Sequence, residues 1–154
     1  MAKQLYFEDV EVGMEITPIT KHPSTATLVR WAGASEDYYP IHYDKDFALA
    51  NNLPGVIVHG RLKAAYLGNL MTNWIGDQGI LRKLTCNYRG MDLPCSVLTC
   101  KGKVINKFQQ NGENLVQCDI WLENDKGETT TPGSAVVALP SKKRGSHKSQ
   151  KDTL

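Results

Sequence analysis

Residues 61–75 read as a helix with too many apolar sides to lie on any surface. Leu62, Ala65, Tyr66, Leu70, Met71, Trp74 and Ile75 cover most of its circumference, so other structure must wrap it. Gly76 is a natural stop. The wrapping comes from the residues that follow. Segments 80–89, 95–108, 115–122 and 129–139 are four successive strand candidates. In the third, Val116, Cys118, Ile120 and Leu122 alternate with Gln117, Asp119, Trp121 and Glu123, a period of two. Asn111-Gly112 and Asp125-Lys126-Gly127 are hairpin signals. The second half therefore reads as an antiparallel meander. The expected fold class is α+β, one antiparallel sheet wrapped around one long central helix.

The first half is irregular and partly helical. Segment 14–20 reads as a first strand, with Pro18 marking an edge or a bulge. Ser24 or Thr25 caps a short helix that buries Leu28, Val29, Trp31 and Ala32 along one face. Asp44 caps a second short helix over 45–51, and Leu53-Pro54-Gly55 breaks the chain before the long helix. With 154 residues, 41% apolar and 22% charged, the sequence suits one domain with a real core. Residues 1–140 are expected to form that domain. Residues 141–154 form a basic tail expected to be disordered.

The net charge of +2 comes from the tail. Lys142, Lys143, Arg144, Lys148 and Lys151 against Asp152 give it +4, which leaves −2 for the preceding 141 residues. The folded part thus has no electrostatic footprint for nucleic acid. Eighteen consecutive apolar residues never occur, so no membrane span is expected. The first residues carry no hydrophobic signal core, which makes the cytoplasm the default location. There Cys86, Cys95, Cys100 and Cys118 are expected to be reduced thiols. Their spacing has no C-x-x-C pair and argues against zinc.

The chemistry concentrates in Ser35-Glu36-Asp37-Tyr38-Tyr39-Pro40-Ile41-His42-Tyr43-Asp44 and in His59-Gly60. Pro40 stops a helix from running through the segment and pushes Tyr39 towards an extended conformation. Asp37 and His42 can then converge on one water, move its proton and orient its oxygen. His59-Gly60 opens the long helix, whose first N–H groups favour a developing oxyanion. Gly60 leaves room for a carbonyl to reach its amide. His59 is open between packing and site lining. Asp44 reads as a helix cap and Trp31 as a packing residue. Arg89, near a strand end, is a candidate for phosphate contact through charge-assisted bonds.

These residues resemble the MaoC-like acyl dehydratases, including the (R)-specific enoyl-CoA hydratases of the hydratase-2 type. The family pattern is an aromatic residue, a few small residues, Gly-Asp-x-Asn-Pro-Leu/Ile-His-x-Asp, then an apolar stretch ending in His-Gly. Here it stands as Trp31 to Asp44 and as Val56-Ile57-Val58-His59-Gly60. The resemblance implies a hotdog fold and a homodimer or an oligomer of dimers. It implies reversible hydration of a trans-2-enoyl-CoA to an (R)-3-hydroxyacyl-CoA, with fatty acid metabolism as the setting. Asp37 and His42 would be the catalytic pair and the Gly60 amide the oxyanion hole. Tyr39, His59 and Arg89 are expected to contact substrate. No metal or bound cofactor is implied; coenzyme A arrives as part of the substrate. Tyr39 stands where the pattern has Asn, and Glu36 where it has Gly. Tyr39 motivates a second reading, a non-catalytic or substrate-binding subunit of a hetero-oligomeric dehydratase. A thioesterase or carrier-protein dehydratase that uses an acidic residue on the central helix fits less well, because residues 61–75 contain none.

Overall fold

The computed structural model describes residues 4–142. The residues beyond 142, where the basic tail was expected, lie outside the described residues. A five-stranded antiparallel sheet is built from β1 (Glu15–Lys21), β2 (Ile80–Cys86), β3 (Leu98–Gln110), β4 (Glu113–Glu123) and β5 (Thr129–Ala138). Three helices accompany it: α1 (Thr25–Ser35), α2 (Lys45–Ala50) and α3 (Gly60–Ile75). α3 touches all five strands. Its Leu67, Leu70, Met71 and Ile75 bury against Leu98, Cys100 and Val104 of β3, Val116, Cys118, Ile120 and Leu122 of β4, and Ala135 and Val137 of β5. Every second residue of β4 from Val116 to Leu122 faces this core. Burial pushes the Cys100 and Cys118 thiols up to about 12, so both behave as small hydrophobes. All four cysteines are free.

Local chemistry explains the turns. Asn111 (φ +52°) and Gly112 (φ +77°) join β3 to β4, the paired positive φ values of a turn that matches strand twist. In the β4–β5 turn the Asn124 side chain accepts from the Lys126 and Glu128 amides, both at 3.0 Å, and Gly127 takes φ +77°. β1 lies at the sheet edge, and its register against β3 shifts between Ile16 and Ile19. Pro18, without an N–H, sits in that irregularity.

The strand order is β1-β3-β4-β5-β2. Only β3, β4 and β5 form a meander. β2 pairs with β5 and not with its successor β3, which corrects the four-strand meander expected from the sequence. The reason lies in residues 87–97, which cross from one side of the sheet to the other instead of turning back. Pro94 and the left-handed Cys95 (φ +66°) break the extended run, so β3 begins at Leu98. This crossover passes the start of α3. A second, smaller apolar cluster of Leu28, Val58 and Leu62, with Trp31, Val56 and Tyr66 packed on it, binds α1 to the same place. No helix among the described residues is long and apolar enough to cross a membrane.

Candidate active site

α1 delivers the first part of the site. Ser24 caps it, its hydroxyl accepting from the Thr27 amide at 3.2 Å. The helix ends at Glu36, which adopts the left-handed conformation (φ +59°, ψ +21°) and swings the chain into Asp37. This conformation suits Gly, the residue of the family pattern, better than Glu. Tyr39 is extended, as Pro40 requires, and Pro40–His42 form one tight 3₁₀ turn with Pro at its first position. The Pro40 carbonyl accepts from the Tyr43 and Asp44 amides at 3.1 and 2.8 Å. Asp44 caps α2, accepting from the Phe47 amide at 3.0 Å. The loop is thereby fixed from both ends.

His42 is held through its ring. Its Nδ1 lies 2.8 Å from the Ile57 carbonyl. A carbonyl only accepts, so Nδ1 carries a proton, and in the neutral ring the lone pair is left to Nε2. A backbone bond from the Ile57 amide to the Ile41 carbonyl at 3.1 Å closes the same junction. His59 stacks on His42, with ring centres 3.8 Å apart and planes at 21°. It is fully buried, its Nε2 is 3.4 Å from the Asp37 carbonyl, and its Nδ1 has no partner. Burial, together with the neighbouring His42 ring, lowers the His59 pKa below its ordinary value.

One ligand atom from each of Asp37, His42 and His59 lies within 4.8 Å of the others. That spacing fits one water bridging two polar groups, each bond about 2.7–2.9 Å long. The trio also has the composition of a metal site. One nitrogen of each of its stacked imidazoles lies against a backbone carbonyl, His42 Nδ1 at Ile57 and His59 Nε2 at Asp37.

The oxyanion donor comes from α3. The helix begins at Gly60 itself, one residue earlier than expected, with His59 as its N-cap. The Gly60 N–H is therefore in the first turn and has no intrahelical partner. A Cβ at this position would come within 3.0 Å of the Tyr88 ring, so Gly60 is what allows that ring to close over the helix start. His42, Gly60, Lys63, Tyr88, Arg89 and Met91 line one cavity of about 350 Å³, completed by Ile57, Val58 and Gly90.

The expected site residues are thus distributed unequally. His42, Gly60 and Arg89 share the cavity, and Asp37 stands beside His42. Tyr39 and His59, expected to contact substrate, do not line it. Tyr39 is half-exposed and meets both the His42 ring, at 6.5 Å, and the Phe47 ring, at 6.0 Å, edge-on. His59 is hidden behind His42. Sequence reasoning missed Tyr88, Lys63 and Asp92. The one local signal was a lysine on the apolar side of a buried helix.

A sheet wrapped around one buried helix, with an acid, an imidazole and a helix-start glycine at one end, defines a hotdog domain. The chain belongs to the MaoC-like domain family, whose pattern matches residues 9–119. It is 33% identical over 126 residues to the fatty acid synthase subunit beta of Saccharomyces cerevisiae, which covers 80% of this chain but only 6% of that protein. It is 27% identical over 140 residues to the 3-hydroxybutyryl-CoA dehydratase of Methylorubrum extorquens, covering 90% of this chain and 86% of that one. Among solved structures, the (R)-hydratase from A. caviae involved in PHA biosynthesis superposes with a TM-score of 0.78 at 24% identity, over 86% of this chain and 99% of that one. R-hydratase PhaJ1 from Pseudomonas aeruginosa gives 0.81 at 22% identity, over 90% and 88%. The ChsH1-ChsH2 complex from Mycobacterium tuberculosis gives 0.75 at 16%, over 84% and 98%. The chain spans only 4–6% of the length of the fatty acid synthase subunits it matches.

Proposed function

We propose that this chain catalyses the reversible hydration of a trans-2-enoyl-CoA to an (R)-3-hydroxyacyl-CoA. The observation that carries the proposal is the meeting of three groups: the Asp37 carboxylate beside the His42 imidazole, whose Nδ1 is held by the Ile57 carbonyl, and the Gly60 amide in the cavity that His42 lines. Asp37 and His42 hold one water. As its oxygen bonds to C3, the pair takes its proton, and the C2=C3 electrons move into an enolate. The thioester oxygen then bears the charge and rests on the Gly60 N–H at the positive end of α3. A proton returned from the pair to C2 completes the addition, and the reverse sequence expels water.

Arg89 lines the cavity and meets a phosphate of coenzyme A. Tyr39 and His59 bracket the His42 ring, one edge-on and one stacked, and hold its plane against the substrate. The substrate brings coenzyme A, and the residues themselves do the proton transfer without a resident cofactor. The protein works in the cytoplasm as a homodimer or an oligomer of dimers.

The test is hydration of crotonyl-CoA by the purified chain, with the product's configuration determined. Activity giving the (R)-alcohol, lost in Asp37→Asn, is the expected result. A chain inactive alone but active with a second hotdog subunit would instead fit a substrate-binding partner in a hetero-oligomeric dehydratase. Release of free thiol without hydration would mark a thioesterase.

A further inference from the structure

In the cavity wall a cation and an anion are buried together. Lys63, in the first turns of α3, is 2% exposed, and Asp92, in the crossover, is 3% exposed. Lys63 Nζ donates to Asp92 Oδ2 at 2.9 Å and to the Gly90 carbonyl at 2.8 Å. The Thr130 hydroxyl of β5 donates to the same Asp92 oxygen at 2.7 Å. The Arg89 and Gly90 amides both reach the Thr130 carbonyl, at 2.9 and 3.0 Å, and the Val58 amide reaches the Asp92 carbonyl at 2.8 Å.

A buried ion pair rarely stabilises a fold better than apolar side chains of the same volume would, because both ions lose their water. What it supplies is direction. Apolar contact cannot hold a carbonyl and a carboxylate at set distances from one helix turn; an ammonium with several N–H donors can. The segment held this way is Tyr88 to Met91, the wall that faces Gly60, and Lys63 lines the same cavity. The Tyr88 ring already lies where a side chain at position 60 would crowd it. A small shift of this wall would therefore change the entrance to the oxyanion donor.

We propose that Lys63 and Asp92 are positioning residues: the buried pair pins the backbone of Gly90 to Asp92 to α3 and β5, and so sets the gap between the Tyr88–Met91 wall and the Gly60 amide into which the acyl thioester enters. This rests on the thioester reading of the cavity given above.

The test uses two variants. Lys63→Met with Asp92→Leu replaces the whole pair by apolar volume and leaves no ion unpaired. Thr130→Val removes one bond and keeps the pair. Each is measured for melting temperature, for butyryl-CoA affinity by calorimetry, and for crotonyl-CoA hydration. The double variant is expected to melt within about 5 °C of the parent. It should bind butyryl-CoA at least about tenfold more weakly, since small misplacements at a site have large effects. KM should rise in the same proportion, and the pH profile of kcat should keep its shape, because Asp37 and His42 are untouched. Thr130→Val should weaken binding by about two- to threefold, the loss of one bond of a network. A double variant that folds and binds butyryl-CoA as the parent does overturns the proposal. If the double variant does not fold, unchanged affinity in Thr130→Val overturns it. A parent that binds butyryl-CoA but does not hydrate crotonyl-CoA contradicts the hydratase reading and leaves the positioning role standing; a parent that binds neither overturns both.

Discussion

The two ends of α3 do different work. At the far end Leu67, Leu70, Met71 and Ile75 are buried in the apolar core built with the sheet and the N-terminal segment. At the near end Leu62 is still packed in apolar surroundings, but the buried His59 and Lys63 beside it have polar partners: the Asp37 and Gly90 carbonyls and the Asp92 carboxylate. The far end needs volume, and many side chains could supply it. The near end needs named partners at set distances, since each buried polar atom left unpaired costs about 1–3 kcal/mol. One helix thus serves as a pillar at one end and as an electrostatic device at the other, where its first amide and dipole face the cavity.

Substitutions at the two ends should separate these roles. The largest effect is expected at the near end. Asp37→Asn or His42→Gln should lower kcat for crotonyl-CoA about 10²- to 10⁴-fold, the usual share of a positioned acid or base, while the melting curve barely moves. Leu70→Ala, at the far end, should do the reverse. It should destabilise by about 2–5 kcal/mol through lost burial and a cavity, read by urea denaturation, with kcat per folded molecule kept. Leu70→Ala abolishing kcat without loss of stability would erase the distinction between the ends.

Glu36→Gly sharpens the comparison from the loop side. A left-handed Glu is strained by about 1 kcal/mol, so the change should raise stability by roughly that much and leave the kinetics intact. The smallest effect is expected from pH. Burial lowers the His59 pKa below its ordinary 6.5, so the unfolded chain binds the extra proton first. Stability from this group is full above pH 6.5 and declines as pH falls through and below it. Denaturation between pH 7 and 5 should show a falling midpoint, less steep in His59→Asn.

What could be read from the sequence follows the same division. The long helix, the β4 alternation, both hairpins, the Ser24 and Asp44 caps and the irregularity at Pro18 depend on residues close together in the chain. Asp37, Pro40 and His42 were legible for the same reason, being parts of one short loop. The pairing of β2 with β5 was not, because no turn residue between Cys86 and Leu98 tells the chain which side of the sheet to join. Lys63 gave a signal only by its place on a buried helix, and nothing local names its partner, since Asp92 lies 29 residues away. The Tyr88 ring over Gly60 is equally remote in sequence. The left-handed Glu36 was hidden because its side chain gives no local signal for that conformation. Side-chain chemistry was readable where the chain is local and unreadable where the crossover decides it.

The most direct measurement is a crystal structure of the chain with (R)-3-hydroxybutyryl-CoA bound. The expected result places the 3-hydroxyl oxygen within about 2.6–3.2 Å of both the Asp37 carboxylate and His42 Nε2, with the thioester oxygen in the same range from the Gly60 nitrogen. A thioester that lies elsewhere on the surface, or a hydroxyl that touches neither side chain while the carbonyl points away from α3, would contradict the proposed chemistry.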